Sequence, residues 1–581
     1  MTKRREFLEQ CGLISGSIFS PAFLHAISSS ACYANSQTDF KADVVIIGGG
    51  LGGCAAALAA CRNGATVIMT EPTDWLGGQL SQQAVPPDEH RWIESFGRTP
   101  SYAKLRKDIR SYYKRNYPLT EAARKKEFLN PGNGGVSRVC HEPRVSVAVL
   151  QAMLAPEISR GKLTILLNTQ PVRAEVKGDS IQSVTCRGAG FVSDKTLQGR
   201  YFIDASEEGD LLPLSGTEYV VGAESQKQTG ELHAPEKANP KNIQSFTCCF
   251  AIDHLEGEDH TIEQPEMYDF WKNHVPPLTP PWSGKILDLS YSSPRTLKPK
   301  ELSFVPCGKD SPAPRTKSLN LWLYRRMIDR SNFIKGTYAS DISLVNWPQN
   351  DYMLGNITDV SAEHREKELH KAKQLSLSLL YWLQTEAPRP DGGTGWSGLR
   401  LRKDIVGTED GLAKYPYIRE SRRILAELTI TEQDLSRTER TKETGFKSSS
   451  AKNGKHLLAR PFSDSVGIGY YHLDLHPSSG GDNYIDMASV PFQIPLGAMI
   501  PRRIENLIPA CKNIGTTHIS NGCYRLHPVE WAIGEAAGAL TAFAINKNTT
   551  PRAVRNNKKQ LQQFQTSLTN QGIELEWSKL K

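Results

Sequence analysis

Two histidines and an arginine lie within ten residues of one another near the carboxyl end of the chain. They are His518, Arg525 and His527, in the segment THISNGCYRLHPVE. An imidazole has an unperturbed pKa of about 6.5, which suits it to accept or donate a proton near neutral pH. A guanidinium orients anionic groups through charge-assisted hydrogen bonds. We predict catalytic roles for all three, with a loop-capping role for each histidine as an equally open alternative.

A second cationic cluster occurs in YIRESRRI, where Arg419 and Arg422 are three residues apart. At helical spacing these two side chains share one face, which suits a carboxylate or a cofactor phosphate. We predict Arg419 as a further catalytic residue. A structural salt-bridge cluster with Glu420 or Glu427 is the alternative that the same pattern allows.

The segment GYYHLDLHP places His472, Asp474 and His476 at alternating positions. On a β-strand all three side chains point to the same side. The spacing also resembles a pair of metal ligands, but the sequence marks no third ligand, so we expect no metal site. The eleven cysteines include no CxxC pair, which agrees with that expectation.

The clearest element that could position such groups is a strand, a glycine-rich turn and a helix near residue 50. The apolar run FKADVVII is typical of a buried parallel strand. It leads into a turn that matches GxGxxG at Gly48, Gly50 and Gly53, followed by an alanine-rich helix. These glycines permit a tight turn and close approach to a phosphate, which the helix N-terminus attracts. A second strand ends at Glu71, where an acidic residue meets ribose hydroxyls, so the pattern predicts a dinucleotide site.

A second match to the glycine pattern begins at Gly393 and ends at Gly398. It follows two prolines instead of a strand, so we interpret it as a loop. The chain is therefore expected to hold one dinucleotide and to have no separate NAD(P)H domain.

Further segments resemble the FAD-binding fold of glutathione-reductase-like flavoproteins. Gly77 and Gly78 are similar to the glycine doublet of that fold, and the strand end Asp204-Ala205-Ser206 is similar to its Ala-Thr-Gly-type motif. Near the carboxyl end, a strand precedes a helix that begins near Pro528 and carries Gly534. This last segment resembles the final FAD segment of the family of FAD-dependent oxidoreductases.

The resemblance runs with gaps from about residue 42 to 545 and implies that FAD is the cofactor. In this fold the N-terminus of the late helix faces the flavin, where the helix dipole stabilises the anionic reduced ring. A histidine beside it could also bind a flavin oxygen. The implied cofactor-binding residues are Gly48, Gly50, Gly53, Glu71, Gly77, Gly78, Ala205, Pro528 and Gly534.

We predict an α/β protein: a Rossmann-like FAD-binding domain of the glutathione-reductase type with an inserted α+β substrate domain. A chain of 581 residues is long enough for two domains. The predicted divisions are the FAD-binding domain (40–220 and 490–545), the substrate domain (221–489) and a polar C-terminal tail (546–581).

The amino-terminal 1–35 resembles a twin-arginine signal peptide. Arg4 and Arg5 are followed by a weakly apolar stretch and then by small residues where cleavage could fall. This implies export to the periplasm by the twin-arginine machinery, which carries proteins already folded around a cofactor. The alternative is a basic, frayed terminus.

The composition excludes two classes of partner. The 70 basic and 62 acidic residues are interspersed, whereas a nucleic-acid binder would concentrate its basic residues in a stripe. No apolar run reaches about 18 residues, so we expect no membrane span in the mature chain.

A flavin dehydrogenase needs a base and often a cation beside the flavin. We predict a dehydrogenase or oxidase that removes hydride from a small polar substrate, such as a sugar, hydroxy acid or amine, to flavin N5. Oxygen, a quinone or a redox protein could accept the electrons. The alternatives are a flavin monooxygenase or halogenase, which usually carries a Gly-Asp pair where this chain has Ala510-Cys511-Lys512-Asn513, and a non-catalytic FAD-binding protein.

Overall fold

A five-stranded parallel sheet forms the centre of the computed structural model, which describes residues 39–189, 193–447 and 455–580. The signal predicted in 1–35 lies outside these residues. The sheet has the order β5-β4-β1-β2-β3, and every neighbouring pair is parallel. Its strands are Val44–Ile47 (β1), Val67–Thr70 (β2), Leu163–Leu166 (β3), Tyr201–Asp204 (β4) and Leu507–Pro509 (β5).

The three inner strands are buried along their whole length, as expected for a parallel sheet with both faces covered. β5 comes from the far end of the chain and pairs with β4, so the sheet unites segments about 300 residues apart. The apolar run predicted as one strand divides into two, because Asp39–Lys41 joins a different sheet. The chain has a mixed α/β fold.

Two helices pack against the sheet with their backbones in contact. They are α1, Leu51–Arg62, and α2, His527–Lys547. A Cβ atom on Gly534 would lie 2.1 Å from the carbonyl oxygen of Gly52, and one on Gly538 would lie 2.1 Å from that of Ala56. Only glycine permits so close an approach. The first and last parts of the fold are thereby joined at the carboxyl edge of the sheet.

A second four-stranded sheet flanks the central one and shares a hydrophobic cluster with it. Its pairs are antiparallel except the first, which is parallel. In order across the sheet, its strands are Asp39–Lys41, Lys195–Gln198, Ser180–Gly188 and Thr169–Lys177.

The middle of the chain builds an antiparallel sheet and a long helix around a separate hydrophobic cluster rich in tryptophan. The helix, Ala362–Thr385, follows the N-cap Ser361 and buries Ala372, Leu375 and Leu379. In order, the strands of the sheet are Arg326–Ile328, Ile342–Val345, Phe250–His254 and Leu399–Leu401.

Five two-stranded pairs complete the β-structure described. They are Phe246–Thr247 with Asp351–Tyr352, Ser290–Ser292 with Pro299–Glu301, Tyr219–Val220 with Arg423–Ile424, Ser465–Gly469 with Phe492–Pro495, and Leu473–Leu475 with Ile485–Met487. The other α-helices are Pro100–Asn116, Glu121–Lys125, Pro143–Ser159, Leu211–Leu214, Gln226–Thr229, Tyr268–Asn273, Leu321–Tyr324, Lys403–Val406, Glu432–Leu435, Arg437–Thr444, His518–Tyr524, Pro551–Asn556 and Lys558–Asn570.

The C-terminal segment, which the sequence predicts to be a polar tail, buries several apolar side chains against the rest of the protein. Its last helix buries Phe564 and Leu568, and Trp577 beyond it is 3% exposed. Because these side chains pack on the core, 546–580 forms part of the folded unit. Across the described residues, no helix combines the length and apolar character needed to traverse a bilayer.

Candidate functional site

Two glycine turns meet at the carboxyl edge of the central sheet. The amide of Gly77 donates to the carbonyl oxygen of Gly49 over 2.9 Å, which ties the second turn to the first. Gly48 has φ +101°, and a Cβ there would lie 2.4 Å from the carbonyl oxygen of Ala205. Gly77 and Gly78 also have positive φ, +114° and +50°. The turns therefore require glycine.

The acidic residue predicted to meet a ribose stands at the end of β2. One oxygen of Glu71 accepts the amide of Gly49 (3.1 Å), and the other accepts the amide of Thr73 (2.8 Å). Burial raises the pKa of Glu71 to about 8, although these hydrogen bonds act in the opposite direction. A ribose hydroxyl that donated to this carboxylate would favour its ionised form.

Glu71 borders a cavity of about 370 Å³ that we call the glycine-turn cavity. Its lining includes the turns, the end of β4 and the long helix: Gly48, Gly50, Glu71, Gln82, Thr169, Ala205, Ser206, Glu207, Arg365 and Tyr415. The strand-end residue Ala205 lies in this lining as the sequence predicts.

The sequence did not single out three buried charged residues beside the glycine turns. Glu207 follows β4 and forms a short ion pair with Lys512, which follows β5. Glu530, in the first turn of α2, accepts the amide of Gly52 over 3.1 Å. A Cβ on Gly78 would lie 2.5 Å from a Glu207 oxygen, so this carboxylate covers the turn. The available signal was that Glu207 and Lys512 lie just after strand ends and that Glu530 lies in the first turn of a helix.

Buried polar atoms without partners mark the edge of the same region. Neither side-chain amide atom of Gln83 has a hydrogen-bond partner among the described residues, and neither does Nε2 of His527. The two segments are joined, because the amide of Asp88 donates to Nδ1 of His527 over 3.1 Å. Unsatisfied buried polar atoms next to a glycine cradle fit a ligand with several polar groups. The residues present therefore fit FAD.

A second cavity, of about 260 Å³, lies beyond a wall that the two cavities share. Tyr415 and Pro416 line the glycine-turn cavity, and the next residue, Tyr417, lines the second. We call it the arginine cavity. Its polar lining includes Asp88, Tyr291, Lys300, Tyr324, Arg325, Asn346, Tyr417, Arg419, Tyr471, His472, Asp474, His476, Tyr484, Asp486 and Arg525.

Arg419 lines the arginine cavity, but the helix predicted for YIRESRRI is wrong. Tyr417 instead bridges Thr247 in extended conformation, and Arg422 pairs with Asp359 elsewhere. Both terminal nitrogens of Arg419 are committed to protein acceptors, including Asp351 at 2.9 Å. Arg419 therefore holds the cavity wall together.

Arg525 also lines the arginine cavity. Its Nη2 donates to the carboxylate of Asp474 over 3.0 Å, and its Nη1 reaches the Tyr417 hydroxyl at 3.4 Å. Tyr417 contacts both Arg419 and Arg525, so the structure places the two arginines on the same cavity.

His518 is not brought to either cavity. Its Nδ1 lies 2.9 Å from both oxygens of Glu420, and the ring is buried. Burial lowers the pKa of His518, but the charge of Glu420 outweighs it, so the net shift is upward. The imidazole is held as part of an ion pair that includes Arg423, and this placement does not favour the predicted role as a base.

His527 is the first residue of α2 and is fully buried. Burial lowers its pKa to about 4, so the ring is neutral at pH 7. Because Nδ1 accepts the amide of Asp88, the proton resides on Nε2. Of the two roles that the sequence leaves open, this geometry favours a hydrogen-bond donor.

Pro528 and Gly534 both lie in α2, the helix that the sequence predicts to begin near Pro528. Pro528 lies in the first turn. Gly534 faces the backbone of Gly52 in α1, so its small size is explained by helix–helix packing. Contact of either residue with FAD stays a prediction.

The alternating segment around Asp474 contributes more to the arginine cavity than the sequence revealed. His472, Asp474 and His476 all line it, as expected for one side of a strand. His476 lies 2.6 Å from Asp351, a partner 125 residues away that no local pattern indicates. His472 lies 2.7 Å from Asp486 on the adjoining strand. Ligand atoms of His472, Asp474 and Asp486 lie within 4.8 Å of one another, which supplies the third group that the sequence did not mark.

A model of the family described as FAD dependent oxidoreductase matches residues 43–568. The chain therefore belongs to the family of FAD-dependent oxidoreductases. It is an FAD-dependent oxidoreductase, and FAD is its cofactor. No curated protein sequence matches the chain.

Solved structures of low identity are similar to the chain. A geranylgeranyl bacteriochlorophyll reductase-like protein from Thermoplasma acidophilum has 12% identity and TM-score 0.29 over 92% of this chain and 85% of that chain. Anhydrotetracycline hydroxylase from Streptomyces rimosus has 9% identity and TM-score 0.30 over 91% and 66%. L-proline dehydrogenase from P. horikoshii has 17% identity and TM-score 0.16 over 32% of this chain, which spans 25% of that dehydrogenase.

Proposed function

We propose that the protein is an exported dehydrogenase or oxidase that takes hydride from a small polar molecule such as a sugar, hydroxy acid or amine. The observation that carries this proposal is the arginine cavity. It is small, about 260 Å³, and its wall combines cations, carboxylates and two histidines with apolar side chains such as Leu302, Leu319 and Leu321. Such a wall suits a compact polar ligand better than an extended apolar one.

We further propose that the fold is of the glutathione-reductase type, with an inserted α+β substrate domain. Support comes from the parallel sheet whose last strand arrives from the carboxyl end of the chain. The antiparallel sheet and helix Ala362–Thr385 lie between these segments in sequence and have a hydrophobic cluster of their own. The arginine cavity takes residues from both parts.

The residues that would hold FAD are those of the glycine-turn cavity. Glu71 would accept ribose hydroxyls, and the turns at Gly48 and Gly77 would receive the pyrophosphate. Nε2–H of His527 and the amide of Gln83 offer unused hydrogen bonds to a polar ring. FAD, when bound, supplies the acceptor for a hydride at flavin N5.

A base for the substrate proton is available at His476. Its Nδ1 donates to Oδ2 of Asp351 over 2.6 Å, which leaves Nε2 as an acceptor at the cavity. Burial raises the pKa of Asp351, but the charge of Arg419 and the hydrogen bonds from His476 and Thr247 outweigh it, and the net shift is downward. Asp351 therefore stays ionised and fixes the tautomer of His476.

Asp474 extends this arrangement on the other side of the ring. Its Oδ2 lies 3.7 Å from Nε2 of His476 and 3.0 Å from Nη2 of Arg525. A proton taken up by Nε2 is thus received between two carboxylates.

An anaerobic screen of the purified holoprotein tests the reaction class. Sugars, hydroxy acids and amines would be added separately while the visible absorbance of oxidised flavin is followed. Bleaching by one class, with the matching oxidised product, supports hydride removal. Stoichiometric oxygenation or halogenation of a product would contradict it in favour of the other flavoenzyme classes. If no compound bleaches the flavin, a non-catalytic FAD-binding role is favoured. Adding oxygen, a quinone or a redox protein to the reduced protein then identifies the acceptor.

Export rests on Arg4 and Arg5 in the amino-terminal segment. Replacing both by lysine keeps the charge but removes the twin-arginine pair. We expect the protein to remain in the cytoplasm with its FAD, as measured by cell fractionation and flavin fluorescence. Periplasmic recovery of the double variant at the wild-type level would contradict this route.

A further inference from the structure

Arg325 presents an uncommitted guanidinium to the arginine cavity. Arg325 is 8% exposed, and neither its Nε nor its Nη1 has a hydrogen-bond partner among the described residues. We infer that the cavity binds a small carboxylate and that Arg325 is its anchor. This inference rests on the proposed function, since it names the substrate class that the same cavity would take.

The other two arginines of the cavity are already committed to the protein. Arg419 donates from both terminal nitrogens to four acceptors, one of them Asp351. Arg525 donates from Nη2 to the carboxylate and the carbonyl oxygen of Asp474. Nε of Arg419 and of Arg525 also lacks a partner among the described residues, but a carboxylate within 3.0 Å fixes each of these two guanidinium groups, whereas Arg325 has no partner at either Nε or Nη1.

Arg326, the next residue in the sequence, provides a comparison, because all three of its side-chain nitrogens are paired with protein acceptors. Arg326 uses Nε for the carbonyl oxygen of Gly132 (2.7 Å), Nη1 for Asp341 (2.7 Å) and Nη2 for Asp329 (2.8 Å). It points away from the cavity and is fully paired. A buried guanidinium without comparable acceptors is costly unless a ligand supplies them.

The nearest acidic group does not satisfy Arg325. Oδ2 of Asp88 lies 3.5 Å from Nη2, which is an ion pair without a well-formed hydrogen bond. The guanidinium also lies 5.1 Å from the ring centre of Tyr324, an aromatic neighbour that offers no lone-pair acceptor through its face. A ligand carboxylate bound by two N–H groups would take one from Nη2, whose acidic neighbour Asp88 is 3.5 Å away, and the other from Nε or Nη1.

The remaining charges restrict what the carboxylate can carry. Asp88, Asp474 and the dyad of His476 with Asp351 all accept hydrogen bonds or protons near the same space. A substituent next to the carboxylate should therefore be a donor, either a hydroxyl or an ammonium group. A cavity of about 260 Å³ limits the molecule to roughly ten non-hydrogen atoms, since a cavity of about 150 Å³ holds benzene.

The test is a binding titration of the FAD-loaded protein, read as the perturbation of the flavin visible spectrum. The probe is pyruvate, a small carboxylate with no hydride to give, and hydroxyacetone is its uncharged counterpart. We expect pyruvate to bind and hydroxyacetone to bind at least tenfold more weakly. The variant R325Q should weaken pyruvate binding by about 10- to 100-fold. R325K keeps the charge without the paired N–H groups and should fall between.

The matched control is R389Q, since Arg389 pairs with Asp391 outside the cavity and should leave pyruvate binding unchanged. Equal binding of pyruvate and hydroxyacetone by the wild type overturns the inference without any variant. Equal binding of pyruvate by R325Q and wild type overturns it as well.

The two proposals fail in different ways. Suppose that pyruvate binds through Arg325 but that neither lactate nor alanine bleaches the flavin. This result supports Arg325 as the carboxylate anchor and contradicts hydride removal from these two acids. Bleaching by lactate alone assigns a hydroxy acid, and bleaching by alanine alone assigns an amino acid. Bleaching by uncharged substrates only, at rates that R325Q does not change, supports the reaction class and overturns the anchor.

Discussion

Nδ1 of His476 lies 2.6 Å from Oδ2 of Asp351, with the carboxylate fully buried and the imidazole at the edge of the arginine cavity. Asp351 is also held by Arg419 and by the Thr247 hydroxyl. A buried carboxylate fixed by three donors orients the ring and sets its tautomer. The pair is the strongest candidate for proton transfer among the residues described.

Replacing His476 by Gln should slow substrate-driven flavin reduction by about 100- to 10,000-fold, because the proton acceptor is lost. FAD content should stay at the wild-type level. The check is the rate of anaerobic bleaching in a stopped-flow instrument with the substrate found in the screen. D351N should give a smaller loss, since the base remains but its orientation is relaxed. A matched control is H472Q, in which the neighbouring imidazole is lost and the dyad is kept. Equal rates for H476Q and wild type would show that the base lies elsewhere.

Replacing Glu71 by Gln should weaken FAD binding by about 10- to 100-fold, because a charged acceptor for ribose hydroxyls is lost. The measurement is quenching of FAD fluorescence on titration into apoprotein. E121Q changes an exposed glutamate whose side chain is 82% accessible and serves as the control.

The same residue predicts a pH dependence of cofactor binding. Burial raises the pKa of Glu71 to about 8 in the cofactor-free protein, and donation from a ribose favours the ionised form. FAD affinity should therefore rise as pH increases from 6 to about 8 and level off above. In E71Q this rise should be absent. A rise of equal size in the variant would assign the pH dependence to another group.

The segments predicted to bind the cofactor could be recognised from short local patterns in the sequence. The turn at Gly48, the acid at Glu71 and the helix start near Pro528 each depend on a few consecutive residues, and the structure places all three at one edge of the sheet. A glycine with φ +101° leaves a mark in the sequence because other residues are strained there.

The arginine cavity was less predictable because its groups come from distant segments. His476 and Asp351 are joined only by the fold, and nothing in the sequence distinguishes the free Arg325 from the paired Arg326. The helix predicted at Arg419 was wrong because tertiary pairing of Tyr417 with Thr247 holds that segment extended. Periodicity reports a local preference, and here a long-range contact overrode it.

Replacing Gly534 by Ala should lower the free energy of unfolding by about 1–3 kcal/mol. The added Cβ would lie 2.1 Å from the carbonyl oxygen of Gly52, so α1 and α2 would have to separate. Because α1 carries the first glycine turn, FAD binding should weaken in parallel. Thermal unfolding and FAD titration measure the two effects. G135A is the control, since its nearest atoms would be 3.9 Å away. Unchanged stability in G534A would contradict the close packing of the two helices.

Replacing His518 by Gln should destabilise the protein most at low pH. The ion pair with Glu420 raises the pKa of His518 in the folded state above the unfolded value of about 6.5. Its stabilising contribution is complete below that unfolded value and is lost as pH rises through the folded pKa. The difference in unfolding free energy between wild type and H518Q should thus be larger at pH 5.5 than at pH 9. Urea unfolding of the FAD-loaded proteins at both pH values provides the measurement. H364Q replaces an exposed histidine on helix Ala362–Thr385 and should show a small, constant difference. A gap between wild type and H518Q that widens at alkaline pH would contradict the ion pair, and a loss of flavin reduction at unchanged stability would return His518 to the catalytic candidates.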